Sequence, residues 1–114
     1  MKTFKFVLCL IIILTLSACA KVDITKTAEG FFEPTNPSTV KILKTEPQES
    51  FIELGTVIVS GFQSTDTAKM HNAIRTKSAP LGADAVILTD QGLIPLGFGN
   101  YEMWATGVAI KFNN

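Results

Sequence analysis

The chain has 114 residues, with ten basic and ten acidic side chains, one histidine and two cysteines. That is one domain's worth of chain without net charge, and its scattered lysines leave no electrostatic footprint for nucleic acid. Both cysteines, Cys9 and Cys19, lie in the first nineteen residues, so everything downstream must fold without a disulfide and rely on an apolar core.

Lys2 and Lys5 precede an uninterrupted apolar stretch from Phe6 through Leu14, followed by Thr15 and Leu16. A helix needs about twenty residues to cross a bilayer, and this run is too short. A basic start, a short apolar run and small residues before a cut describe a secretory signal peptide. Two cuts are open. Ala18-Cys19-Ala20 has the A-x-A form of ordinary signal cleavage, which would release a soluble protein. Leu16-Ser17-Ala18-Cys19 resembles the bacterial lipobox, in which the cysteine thiol is acylated and the chain is cut between Ala18 and Cys19. All four lipobox positions fit, so residues 1–18 are read as a lipoprotein signal peptide and Cys19 as the lipidated first residue of the mature chain.

A two-chain glyceride on Cys19 would hold firmly, since each buried CH₂ contributes about 0.8 kcal/mol and one acyl chain alone holds only marginally. The partner implied is therefore a membrane, through the lipid. Ala20 and Lys21 follow the cysteine. Neither is the aspartate with which enterobacteria retain lipoproteins in the inner membrane, so the resemblance implies the outer membrane, on its periplasmic face. Without Lys2 and Lys5 the ten basic residues become eight against ten acidic, a mature net charge of −2.

Residues 19–38 read as a lipidated tether, polar and broken by Gly30, Pro34 and Pro37. Phe31 and Phe32 would dock its end on the domain or meet a partner. The domain proper is placed at 39–114. A strand is expected over 39–44 and a second over 51–62, rich in β-branched residues. The apolar parity of the second shifts at Gly55, which marks a bulge or a close backbone approach. Ser64, Thr65 or Asp66 can cap a helix that runs to Pro80, where the missing donor ends it and Ala79 is pushed from the α region. The apolar run 83–90 reads as a strand covered on both faces. The last strand has a clean period of two: Trp104, Thr106, Val108, Ile110 and Phe112 share one face. The other face carries Met103, Ala105, Gly107 and Ala109, small enough for the helix to pack close. The expected fold is α+β, one helix on a small antiparallel or mixed sheet, in the order ββαββ.

Three stretches together resemble a known group. "FFEPTNPSTVKIL", "FIELGTVIV" and "AIRTKSAPLGADAVILTD" are similar to segments of small bacterial lipoproteins of unknown function, and "WATGVAIKF" to their closing strand. The helix followed by Gly82-Ala83-Asp84-Ala85-Val86 resembles the YbjQ-like domain family, associated with heavy-metal binding, and more loosely the RcsF-like envelope lipoproteins. The resemblance implies the fold and an envelope role in partner binding or stress sensing. A YbjQ-like reading implies instead a self-assembling module that functions as a homo-oligomer. Disulfide-linked sensing does not carry over, because this mature chain has no second cysteine. Independently of the resemblance, Gly82 suits a left-handed turn after the helix, and Asp84 suits hydrogen bonding to backbone donors there.

No catalytic constellation is legible. Nucleophilic catalysis needs a serine or cysteine beside a base; His71 is the single imidazole, and Ser60, Ser64 and Ser78 stand in no motif. Asp84 and Asp90 sit at the ends of one strand, roughly 20 Å apart at 3.3 Å per residue, too far for a glycosidase pair. A metal needs several converging ligands, and none assembles here. No enzyme, cofactor or metal is therefore expected. The unusual segment is "QGLIPLGFGN", 91–100, read as a loop with Leu93, Ile94, Leu96 and Phe98 among glycines. These side chains either fold over a sheet edge or form an exposed patch that meets an envelope partner or another copy.

Overall fold

The computed structural model describes residues 20–113; the expected signal peptide, its expected cleavage after Ala18 and the expected lipidation at Cys19 lie outside the described residues. The elements are β1 (Lys21–Lys26), β2 (Lys41–Leu43), β3 (Phe51–Gln63), α1 (Thr67–Ser78), β4 (Ala85–Gly97) and β5 (Asn100–Phe112). Short 3₁₀ turns occupy Pro37–Thr39 and Ala79–Leu81. The strands form one sheet in the order β1-β3-β5-β4-β2. Pairing is antiparallel except between β4 and β2. The expected α+β class holds: one helix lies on one face of a mixed sheet.

The helix seats where the sequence makes room for it. Met70 and Ile74, one turn apart, are buried in a core with Ala105 and Ala109 of β5 and Leu54, Val57 and Val59 of β3. Gly107, between those alanines, is forced by the backbone: a Cβ there would lie 2.8 Å from the Ile87 carbonyl oxygen. On the opposite face Ala85, Ile87 and Ile110 form a second, smaller cluster with Leu43, Phe51, Val108 and Phe112.

The stretch read as a tether contains a strand. β1 pairs with β3 from Lys21↔Ser60 to Lys26↔Gly55. Its only apolar side chains, Val22 and Ile24, pack on the core's margin, too brief an alternation to stand out. Gly55 makes the approach feasible, since a Cβ there would overlap the Thr25 carbonyl oxygen. The parity shift expected there is also real, with the β3–β5 register slipping between Glu53 and Gly55. Further along, Phe32 packs on the core, whereas Phe31 stays exposed with the Lys26 ammonium 4.1 Å from its ring centre.

The helix stops at Ser78, close to where Pro80 requires, but Ala79 remains right-handed helical (φ −55, ψ −41). The chain tightens into a 3₁₀ turn that places Pro80 where no helical donor is needed. Gly82 then takes the left-handed conformation, φ 89. It sits against Phe32, whose Cβ would be 2.7 Å from a Cβ on Gly82. Thr35 fastens the same corner, its amide donating to Ala79 O (2.9 Å) and its hydroxyl to Ala83 O (2.6 Å).

Candidate functional site

The stretch 91–100 is not a loop. β4 and β5 stay paired through Ile94↔Glu102, Pro95↔Tyr101 and Gly97↔Asn100, so the two strands project together as a hairpin arm. β3 accompanies β5 only as far as Gln63↔Glu102, and β2 accompanies β4 only at Ala85–Ile87. Among the described residues the outer edge of β4 is therefore unpaired from Leu88 onward, and no third strand flanks the end of the arm.

The residues of the arm explain its shape. Two bulges insert an extra residue into β4, at Thr89 and Leu96, and bulges turn an edge away from further pairing. Thr89 secures the first by hydrogen bonding Thr106, hydroxyl to hydroxyl at 3.0 Å. Pro95 lies where β4 has no outer partner, which is where a strand accepts proline. Gly92 lets the Trp104 indole lie on the backbone; a Cβ there would fall 2.7 Å from Trp104 Nε1. At the tip Phe98 and Gly99 both have positive φ, 53 and 76, the sign pattern of a type I′ hairpin turn.

The four arm residues singled out in the sequence stay in solvent. Leu93, Ile94, Leu96 and Phe98 retain 54%, 45%, 60% and 105% of their exposure, joined by Tyr101 at 46%. Of the two readings weighed for them, folding over the sheet edge does not occur. Tyr101 carries no such signal in the sequence, where it reads only as the first residue of the last strand. No charged residue stands between Asp90 and Glu102, so the arm is a continuous apolar and uncharged surface. At its base a shallow groove of about 240 Å³ is lined by Thr67, Met70, Leu93, Met103 and Trp104 with Gln91 and Gly92. The Thr67 hydroxyl lies 3.8 Å from Met103 Sδ there.

The carboxylates of Asp84 and Asp90 both accept backbone amides. Asp84 receives the Phe112 amide on Oδ2 at 3.0 Å, while its own amide donates to Ile110 O at 2.8 Å and its carbonyl accepts from Lys41 N at 3.1 Å. It thus ties β2, β4 and β5 together, and the donors it binds come from neighbouring strands instead of its own turn. Asp90 accepts from the Gln91 amide. His71, half-buried on α1, has its pKa lowered below 6.5, first by burial and then by the nearby Arg75 and Lys44 charges. Arg75 is itself engaged, donating to Val40 O at 3.0 Å and Asn72 Oδ1 at 2.8 Å. Ser78 is buried with its hydroxyl unpartnered. Among the described residues no three His, Cys, Asp or Glu side chains converge to hold a metal ion. No described helix is long and apolar enough to cross a membrane.

No family model and no curated protein matches the sequence. A solved structure does resemble the fold: the Francisella virulence factor FvfA superposes with a TM-score of 0.52 at 18% identity, over 80% of this chain and 98% of that chain. At that identity the likeness concerns the fold.

Proposed function

We propose that this chain is a lipid-anchored envelope protein, held to a membrane through Cys19 and acting as a non-enzymatic binding or stress-sensing module. Supporting the anchor are the basic start, the short apolar run and the Leu16-Ser17-Ala18-Cys19 box. The observation that carries the binding role is the arm: large apolar side chains held in solvent on paired strands, with Phe98 fully exposed. Exposed apolar patches of this kind mark sites of contact with another molecule or a membrane. The absence of a catalytic motif in the sequence and the structural engagement of Asp84 favour a binding role over an enzyme. The similarity of the quoted motifs to YbjQ-like and RcsF-like domains supports this reading.

A second reading, self-assembly of the YbjQ-like kind, is favoured by the unpaired outer edge of β4 from Leu88 onward, a template for strand addition. The test of the main reading is the intact mass of the mature protein extracted from its host's membranes. A chain beginning at acylated Cys19 is expected, and Cys19→Ser should move the protein to the soluble fraction. A chain beginning after Ala20 without acyl groups would overturn the anchor. A discrete ring in the solution mass would replace the binding module by the self-assembling one.

A further inference from the structure

We infer that the contact surface of the arm is made for the bilayer: the Leu96–Gly99 tip inserts into the lipid surface beside the anchor, fixing the domain upright on the membrane. This rests on the anchored reading above and names the partner of the same surface. Two observations meet here. The first is where the lipid-bearing residue enters the fold. Cys19 immediately precedes Ala20, and Ala20 lies at the arm's end of the sheet. A Cβ built on Gly61 would sit 3.0 Å from Ala20 Cα and 3.3 Å from Glu102 Oε1. By the strand register Ala20 falls opposite Gly61, which the β3–β5 bulge places level with Trp104; the anchor therefore leaves the domain at the root of the arm, with no slack chain between the cysteine and β1.

The second observation is the arm's reach and chemistry. From Trp104 the tip turn is five residues further along β5, about 17 Å at 3.3–3.4 Å per residue. Apolar elements that lie in a membrane interface sit about 5–10 Å into the headgroup and acyl boundary. With the glyceride of Cys19 at that boundary, the arm, even tilted, is long enough to carry Leu96 and Phe98 past the headgroups to the first acyl carbons. Tyr101, amphipathic and half-exposed, falls at the headgroup level, where such rings are enriched. Charge resumes at Glu102, three residues back from the tip turn. Phe98 is held at φ 53 with its ring fully exposed, a conformation that an aromatic side chain adopts only at a cost and that packing within the domain does not repay.

The experiment uses the mature acylated chain, reconstituted in phosphatidylethanolamine and phosphatidylglycerol vesicles. Phe98→Trp in a Trp104→Phe background puts a single indole at the tip, and Ile58→Trp in the same background puts it mid-sheet on an exposed position of β3. Circular dichroism checks that both variants fold, and intact mass checks acylation. Lipids brominated near the top of the acyl chains should quench the tip indole several-fold more than the mid-sheet one. Equal quenching at the two positions overturns the inference while the anchor stands. A blue-shifted tip indole that brominated lipid leaves bright, in a chain that crosslinks to itself, also overturns it and assigns the surface to a second copy. Should the tip substitution disturb the arm, Leu96→Trp in the same background makes the same comparison. An unacylated chain would refute the anchored reading by its mass alone.

Discussion

Replacing Phe98 by asparagine should stabilise the domain while weakening its hold on the membrane. The side chain is fully exposed, so its removal forfeits no burial within the fold. Its backbone has φ 53, followed by Gly99 at φ 76. The left-handed region costs an ordinary L-residue roughly 1–2 kcal/mol, and asparagine is among the few that visit it readily. Asn-Gly is also the preferred pair for a type I′ turn. Phe98→Asn should therefore gain about 1 kcal/mol, which in a domain of this size raises the melting temperature by roughly 4–8 °C. The assay is thermal unfolding of a chain beginning at Ala20, followed by circular dichroism with and without vesicles. An unchanged or lower melting temperature without lipid would refute the reasoning, since it would mean that Phe98 packs on its own domain or that its backbone is unstrained. A residue that destabilises its own fold and is exposed there is explained by what it meets outside it.

Gly55→Ala places a Cβ on the Thr25 carbonyl oxygen and 3.2 Å from Lys26 Cα, so overpacking should cost about 1–3 kcal/mol and speed hydrogen exchange across β1; an unchanged urea midpoint would contradict it. Ser78→Ala removes a buried hydroxyl that has no partner and should raise the urea midpoint, by about 1 kcal/mol of stability. For His71, lowered below 6.5 chiefly by burial, the unfolded chain takes up its proton first as pH falls. The stability contributed by the neutral imidazole is thus complete above pH 6.5 and lost as pH drops from there towards the folded value. Urea midpoints at pH 7.5 and 5.5 should differ in that direction, and His71→Gln should flatten the difference.

The parts of the fold that sequence made legible are those where one face alternates cleanly or a glycine is conformationally required. Ala105, Gly107 and Ala109 announced the face that receives the helix, Gly82 its left-handed exit and Gly55 the bulge. β1 escaped notice because only Val22 and Ile24 turn inward, and the strand's stability comes from its ladder with β3, a non-local contact. The arm was mistaken for a loop because its glycines and proline look like turn punctuation. In the fold each has a strand role: Gly92 lies under the Trp104 indole, Pro95 sits on an unpaired edge, and Gly97 and Gly99 flank the hairpin tip. Leu93, Ile94, Leu96 and Phe98 stand out in the sequence because apolar residues between turn signals are visible by composition alone. Whether they would be exposed depended on the length of β2 and on the two β4 bulges, which local pattern does not reveal. Their alignment with the entry point of Ala20 was equally hidden, because it depends on the pairing of β1 with β3.

The most direct test is to install a photo-crosslinking side chain at position 98 of the full chain, expressed in a bacterial host, and to weigh the adduct formed in intact cells. A mass increase matching a phospholipid, lost when Cys19 is replaced by serine, is the expected result. An adduct with another protein or with a second copy of the chain, and none with lipid, would contradict a membrane-facing arm.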